Sequence, residues 1–222
     1  MIRYSLLLCL FYWHAINPVN TKMTEVVSAT TVGSKPFLMP VDDVFTISGI
    51  GTVVTGKVAR GTVKTGDSIE LVGINDRIIR SKVKSIEMFR KTVTEAKEGE
   101  TCGIVLSAVE KTDVSRGIVL AKPGSMFASN TFTCELVFKT KEDGGRKFPI
   151  ADNFRTQFYI YNTNFSGIIK LPAGMQNIIP AEKTIVTVKL EMPVAIEKGL
   201  PFNIMEYGKE IGSGMILEPV KN

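Results

Sequence analysis

Gly51, Gly56 and Lys57 stand at the spacing of a phosphate-gripping loop: glycine, four residues, glycine, lysine. The next position should carry a hydroxyl to hold magnesium, and Val58 takes its place. The context is wrong as well. Such a loop follows a buried strand and opens a helix, whereas Thr52-Val53-Val54-Thr55 is itself β-branched and reads as a strand. The chain contains no Asp-x-x-Gly and no Asn-Lys-x-Asp, the groups that would sense a γ-phosphate and read guanine. The expectation is that this chain alone neither binds nor hydrolyses GTP. It is expected to hold no cofactor of its own.

Other candidates for chemistry are sparse. Asp42 and Asp43 form a carboxylate pair, but neighbours on a strand face opposite ways and do not share one site. Gly144-Gly145-Arg146-Lys147 reads either as an anion-binding nest flanked by a guanidinium or as an ordinary hairpin turn. Phe154, Phe158, Tyr159, Tyr161 and Phe165 form an aromatic segment around Arg155. Its alternate members either stack bases or fill a barrel core. His14 is the only histidine, which removes imidazole chemistry from the body of the chain. Cys9, Cys102 and Cys134 show no metal-ligand spacing, so zinc has no support and reduced, buried thiols are expected.

The elements that must position these residues are strands. The chain has 222 residues, 44% apolar, with a thinly spread net charge of +5. That length allows two small domains, and no segment is basic enough to predict nucleic-acid binding by charge alone. Gly51-Thr-Val-Val-Thr-Gly56 recurs ten residues later as Gly61-Thr-Val-Lys-Thr-Gly66, two short strands closed by glycine. Strands are expected at 37–39, 43–47, 51–60, 68–72, 78–88, 101–106 and 118–121, with helical turns at 92–99 and 112–116. Lys122-Pro-Gly-Ser125 breaks the pattern and marks a boundary. Strands resume at 131–140, 157–162, 167–170, 184–192, 201–206 and 211–219. In the run from Glu182 to Glu191, Thr187, Lys189 and Glu191 share a wet face from which Ile185 is displaced. The fold class is all-β, two antiparallel β-barrels in tandem: residues 35–124 and 125–222, after a leader and linker at 1–34.

Leu6–Trp13 is an apolar run behind Arg3, far too short to span a bilayer, and no membrane partner is expected. It reads as an organelle leader, a secretory leader or a wrongly assigned start, with Met23 as a plausible internal start. The localisation expected from it is mitochondrial or another organelle, with the cytoplasm as the alternative.

Several segments together resemble a family. Lys35-Pro-Phe-Leu-Met-Pro-Val-Asp-Asp-Val-Phe45, Gly51-Thr-Val-Val-Thr-Gly56, Ile86-Glu-Met-Phe-Arg-Lys91, Val119-Leu-Ala-Lys-Pro-Gly124 and Gly144-Gly-Arg146 occur in the order seen in elongation factor Tu. The resemblance spans 35–222 and corresponds to the second and third domains, both β-barrels, without the GTP-binding domain. It implies aminoacyl-tRNA and the ribosome as partners, with GTP and Mg only through a GTPase domain. It also implies a GTPase domain or another protein over the interface where that domain docks.

Carried over residue by residue, the resemblance assigns an aminoacyl and 3′-end pocket to Asp42, Asp43, Phe45, Thr55 and Thr101. Phe45 would cover the terminal adenine, and Asp42, where the family usually has glutamate, would accept from the ribose hydroxyl. Arg90 and Arg116 would meet the acceptor stem; Arg146, Lys147, Arg155 and Gln157 would face the T-stem. Several departures lie on the tRNA side of the resemblance rather than in the cores. Thr101 replaces asparagine, Ile50 and Met205 each replace arginine, Lys147 replaces histidine, Tyr207 replaces glycine, Glu210 replaces threonine, and Ile185 stands where lysine is common. Each lost phosphate contact weakens affinity and its salt dependence. The readings are therefore an elongation factor fragment or variant that binds aminoacyl-tRNA, a structural subunit of a larger assembly such as an organelle ribosome, or a truncated gene model. No catalytic residue and no metal ligand is expected.

Overall fold

The computed structural model describes residues 35–73, 75–146 and 148–220, all within one compact unit from Ser34 to Asn222. The leader, with Cys9, His14 and Met23, and the candidate Lys147 lie outside the described residues. Ten strands build the first body: β1 (Leu38–Pro40), β2 (Asp43–Ile47), β3 (Gly51–Lys57), β4 (Thr62–Lys64), β5 (Ser68–Gly73), β6 (Asn75–Met88), β7 (Lys91–Val93), β8 (Glu95–Lys97), β9 (Thr101–Leu106) and β10 (Val119–Ala121). Eight build the second: β11 (Phe127–Phe138), β12 (Ile150–Ala151), β13 (Phe154–Ile160), β14 (Thr163–Lys170), β15 (Asn177–Ile178), β16 (Thr184–Ile196), β17 (Pro201–Glu206) and β18 (Lys209–Pro219). Every pairing is antiparallel, and the expected pair of tandem β-barrels is the architecture found.

The first body is a half-barrel. Its main sheet runs β1-β10-β5-β6-β9-β3-β2, with β7 on β6 and a separate β4–β8 ribbon. Strand alternation builds its core: Val54 on β3, Ile86 on β6 and Ile104 on β9 turn inward beside Ile69, Leu71 and Leu120. The chain leaving β1 crosses β3 closely. Val41 N–H donates to the Ile118 carbonyl at 2.9 Å and Asp42 N–H to the Thr55 carbonyl at 2.8 Å. Gly56 sits under this crossing, where a Cβ would meet the Pro40 carbonyl oxygen at 2.2 Å. That contact, and not a phosphate, accounts for the second glycine of the loop-like spacing.

The second body closes completely in the order β11-β16-β14-β13-β17-β18 and back to β11. Phe132, Phe158 and Phe202 meet edge-on in its core, with centroids 5.7 and 5.8 Å apart. Phe158 and Phe165 are core residues, and Phe154 packs against that core. Most of the aromatic segment therefore fills the barrel and does not present base-stacking faces.

Two expectations are corrected. Residues 92–99 make no helical turn: β7 pairs with the end of β6, and β8 pairs with β4. Ile185 is not displaced from the wet face of β16 but lies on it, exposed, in register with Glu135. The second expected turn is a short 3-10 helix at Lys111–Asp113, with the Asp113 carboxylate accepting from Glu110 N–H at 3.2 Å.

The two barrels meet across an apolar cluster of Leu38, Val72, Val119, Ala121, Met126 and Ala195. Polar links frame it. Arg60 donates to Glu197 and, at 2.9 Å, to the Pro36 carbonyl. Glu70, buried on β5, accepts from Arg80 Nε at 3.1 Å and from Gly124 N–H at 2.8 Å, which holds the connector between the barrels.

Candidate functional site

Register fixes what the outer face of the half-barrel presents. Directly paired residues of an antiparallel sheet share a face. Asp43 pairs with Thr55, Thr55 with Gly103, and Gly103 with Glu87, giving one row across β2, β3, β9 and β6. The next row is Phe45, Val53, Val105 and Ser85; on the other side Lys57 pairs with Thr101. Four of the five pocket candidates, Asp43, Phe45, Thr55 and Thr101, thus lie on a single outward face. Gly103 leaves that face shallow at its centre, where a Cβ would lie 3.6 Å from Val53 Cγ1 and 3.9 Å from Thr55 Cγ2. Phe45 is 45% exposed at one side. Its ring is available to a ligand, while Val44 beside it packs on the core.

The fifth candidate goes elsewhere. Asp42 precedes β2, and its Oδ1 accepts from Asn162 Nδ2 at 2.6 Å, across the seam between the barrels. The same amide donates to the Val41 carbonyl at 2.9 Å. Asp42, Lys57, Glu98, Tyr161 and Asn162 line a seam pocket of about 490 Å³. Among the described residues the buried Tyr161 hydroxyl has no hydrogen-bond partner, and burial pushes its pKa well above the usual phenol range. The two adjacent aspartates therefore serve different surfaces.

Arg90 occupies the tip of the β6–β7 hairpin. The turn residues Phe89 and Arg90 both have positive φ, +49° and +64°, as a type I′ turn requires. Phe89 continues the outward alternation of Ser85 and Glu87 and is 94% exposed. Gly103, Glu87 and Phe89 escaped the sequence reading as parts of this face. A glycine inside the strand Thr101–Leu106 was the available signal, since it marks a close approach or an open spot. Arg116 is exposed on the loop that follows the 3-10 helix.

On the second barrel the two candidate arginines are engaged within the chain. Arg146 lies 4.3 Å over the Phe154 ring and 3.3 Å from the Glu206 carboxylate. Gly145 N–H donates to the Thr140 carbonyl at 2.7 Å and Gly144 N–H to that of Lys141 at 3.3 Å, so these amides close a turn. Arg155, exposed on β13, is paired with Glu191. Gln157, one outward step along β13, is exposed and in register with Met205 of β17. Cys102 and Cys134 are free and buried, one in each core, and burial raises their thiol pKa values to about 11 and about 12.

No three described histidine, cysteine or acidic residues converge as a metal site. What this geometry offers is a shallow, mixed polar and aromatic face on one barrel and a polar sheet face on the other. The sequence matches the family model of elongation factor Tu domain 2 over residues 51–121 and that of the elongation factor Tu C-terminal domain over residues 125–219. Both matches fall on the barrels; neither is a nucleotide-binding domain.

Proposed function

Because the chain belongs to the elongation factor Tu family, through its second and C-terminal domains, we propose that its half-barrel holds the aminoacylated 3′ end of tRNA. The observation that supports this is the single outward face carrying Asp43, Phe45, Thr55 and Thr101 over the open spot at Gly103. An exposed aromatic ring takes a base face, and short hydroxyl and carboxylate side chains beside it take ribose and amino groups. The face is shallow, so it forms one wall of the site. The other wall is a GTP-binding domain, carried by another chain or by a longer form of this one, and the chemistry of GTP hydrolysis belongs to that domain.

The test is binding of charged and uncharged tRNA with a family GTP-binding domain and GTP supplied. Charged tRNA should bind more tightly. Phe45→Ala should weaken that binding by roughly ten-fold or more, within the range for loss of one base–aromatic stack, with little change in melting temperature. Equal binding of charged and uncharged tRNA would refute the reading. A second reading, a structural subunit without tRNA binding, draws on Arg146 and Arg155 being paired with Glu206 and Glu191. It expects no effect of Phe45→Ala on any tRNA.

A further inference from the structure

Gly61 presses the start of β4 onto the chain that leads into β1. Its φ is +70°, and a Cβ there would lie 2.7 Å from both the Lys35 carbonyl oxygen and the Phe37 nitrogen. Beyond Gly61 the two segments part, as β4 turns to pair with β8. Between them lies a cleft of about 520 Å³. Phe37, Val63 and Ile69, all buried core residues, form its floor, and Lys35 and Lys122 stand exposed at its rim. The cleft shares no residue with the face around Phe45.

The strand edge beside the cleft carries an unused pair of backbone groups. In the β4–β8 ladder, Glu98 N–H donates to the Gly61 carbonyl and Thr65 N–H to the Thr94 carbonyl, each at 3.0 Å. Bonding alternates along an antiparallel strand, so the backbone groups of Thr62 and Lys64 point away from β8. Asp67 takes those of Lys64: its Oδ2 accepts from Lys64 N–H at 2.8 Å, and its N–H donates to the Lys64 carbonyl at 3.1 Å. Among the described residues no backbone group takes those of Thr62, which lines the cleft. A ligand with its own main-chain donor and acceptor satisfies them, as a strand added to a sheet edge does.

Charge narrows the choice of ligand. Neither Lys35 nor Lys122 forms an ion pair among the described residues. The one acid of the lining, Asp67, is held in the turn after β4. The cleft is therefore cationic above an apolar floor. A single-stranded nucleic acid would find no exposed ring to stack on, since the only aromatic residue of the lining, Phe37, is buried. We propose that this cleft is a docking site for an extended acidic peptide segment of a partner protein. The segment bonds its main chain to Thr62, sets an apolar side chain over Phe37, Val63 and Ile69, and turns carboxylates toward Lys35 and Lys122. Successive side chains of an extended peptide face opposite ways, so alternating acidic and apolar residues fit.

The probes are fluorescein-labelled Glu-Val-Glu-Val-Glu, its counterpart Lys-Val-Lys-Val-Lys, and two N-methylated forms of the first, one blocked on the valine nitrogens and one on the glutamate nitrogens. Each is titrated with the full chain at low salt and followed by anisotropy. The glutamate peptide should bind and the lysine peptide should not. One of the two N-methylated forms should lose binding, because only alternate amides face the edge. Lys35→Ala and Lys122→Ala should each weaken binding by about five-fold, the upper value of one exposed ion pair. Together they should weaken it by roughly twenty-fold, at an unchanged melting temperature, while Lys141→Ala, on an exposed turn of the other barrel, should bind like wild type. Equal binding of the two charged peptides, wild-type affinity in the double variant, or undiminished binding of both N-methylated forms overturns the proposal. So does a short uridine oligonucleotide that binds through Lys35 and Lys122 where the glutamate peptide does not, which would make the cleft a nucleic-acid site. None of these results touches the reading of the face around Phe45.

Discussion

Gly56→Ala puts the crossing of β1 over β3 to a direct test. The added Cβ would lie 2.2 Å from the Pro40 carbonyl oxygen, 3.0 Å from Met39 Cγ and 3.3 Å from the Pro40 carbonyl carbon. The closest of these atoms is backbone and cannot swing aside. Pro40 is held in register with Val119, and the next two amides are bonded to Ile118 and Thr55. Relief needs a shift of about 1 Å between strands whose cores, at Met39 and Val54, are fully buried. Overpacking of this kind costs about 1–3 kcal/mol, and loss of the Asp42–Thr55 backbone bond adds about 1 kcal/mol. A total near 2–4 kcal/mol should lower the melting temperature by roughly 4–16 °C for a body of this size. The control is Gly66→Ala, where φ is +92° but no atom lies within 4 Å; strain alone should cost about 1 kcal/mol there. Urea unfolding followed by circular dichroism separates the two. If Gly56→Ala is no worse than Gly66→Ala, the strand crossing is not tight, and another reason is needed for glycine at position 56.

Two further outcomes follow from the polar links. Arg60 is an 11% exposed side chain bridging Pro36, Glu197 and Met126, while Glu197 keeps 33% exposure and can turn to water; Arg60→Ala should therefore cost about 2–3 kcal/mol, below the value for a fully buried pair. A double-mutant cycle with Glu197→Gln in urea should return a coupling near 1 kcal/mol, and strict additivity would contradict the pairing. The Leu171 amide bonded to Asp152 at 2.8 Å lowers that carboxyl below its ordinary 3.8, so its stabilisation is complete above that value and is lost as pH falls through the lower folded one. Asp152→Asn should flatten the acid limb of a stability–pH curve below about pH 4 and leave the neutral region's slope unchanged; an unaltered acid limb would count against the bond.

How far the sequence carries depends on which interactions decide each feature. Thr52-Val53-Val54-Thr55 and Val186 to Leu190 declare themselves as strands, because β-branched residues alternate with the pleat. Glu95-Ala96-Lys97 does not, since each residue favours a helix when isolated. It is a strand because Thr62–Lys64 lies alongside, a partner more than thirty positions away. Ile185 misled for a related reason: an apolar side chain can occupy the wet face of β16, whose alternation is set by Val186 and Val188 turning inward. For the site, local pattern identified Phe45, Thr55 and Arg90 as residues of interest through resemblance. It could not show that Asp43, Thr55 and Thr101 share a face, because that depends on register across three strands. Nor could it show that Asp42 reaches Asn162, 120 residues along the chain.

The seam gives these two surfaces a joint consequence. Apolar packing of Leu38, Val119 and Ala195, the Arg60–Glu197 pair and the Glu70 hold on Gly124 all oppose relative motion of the barrels. The face around Phe45 and the outer face of the second barrel are thereby kept at one separation. A long ligand that touches both makes its second contact as an intramolecular event, at an effective concentration set by that separation. The consequence is asymmetric. Loosening the seam through Arg60 should leave binding of a short 3′-end fragment at the Phe45 face untouched and should weaken only ligands long enough to span both barrels.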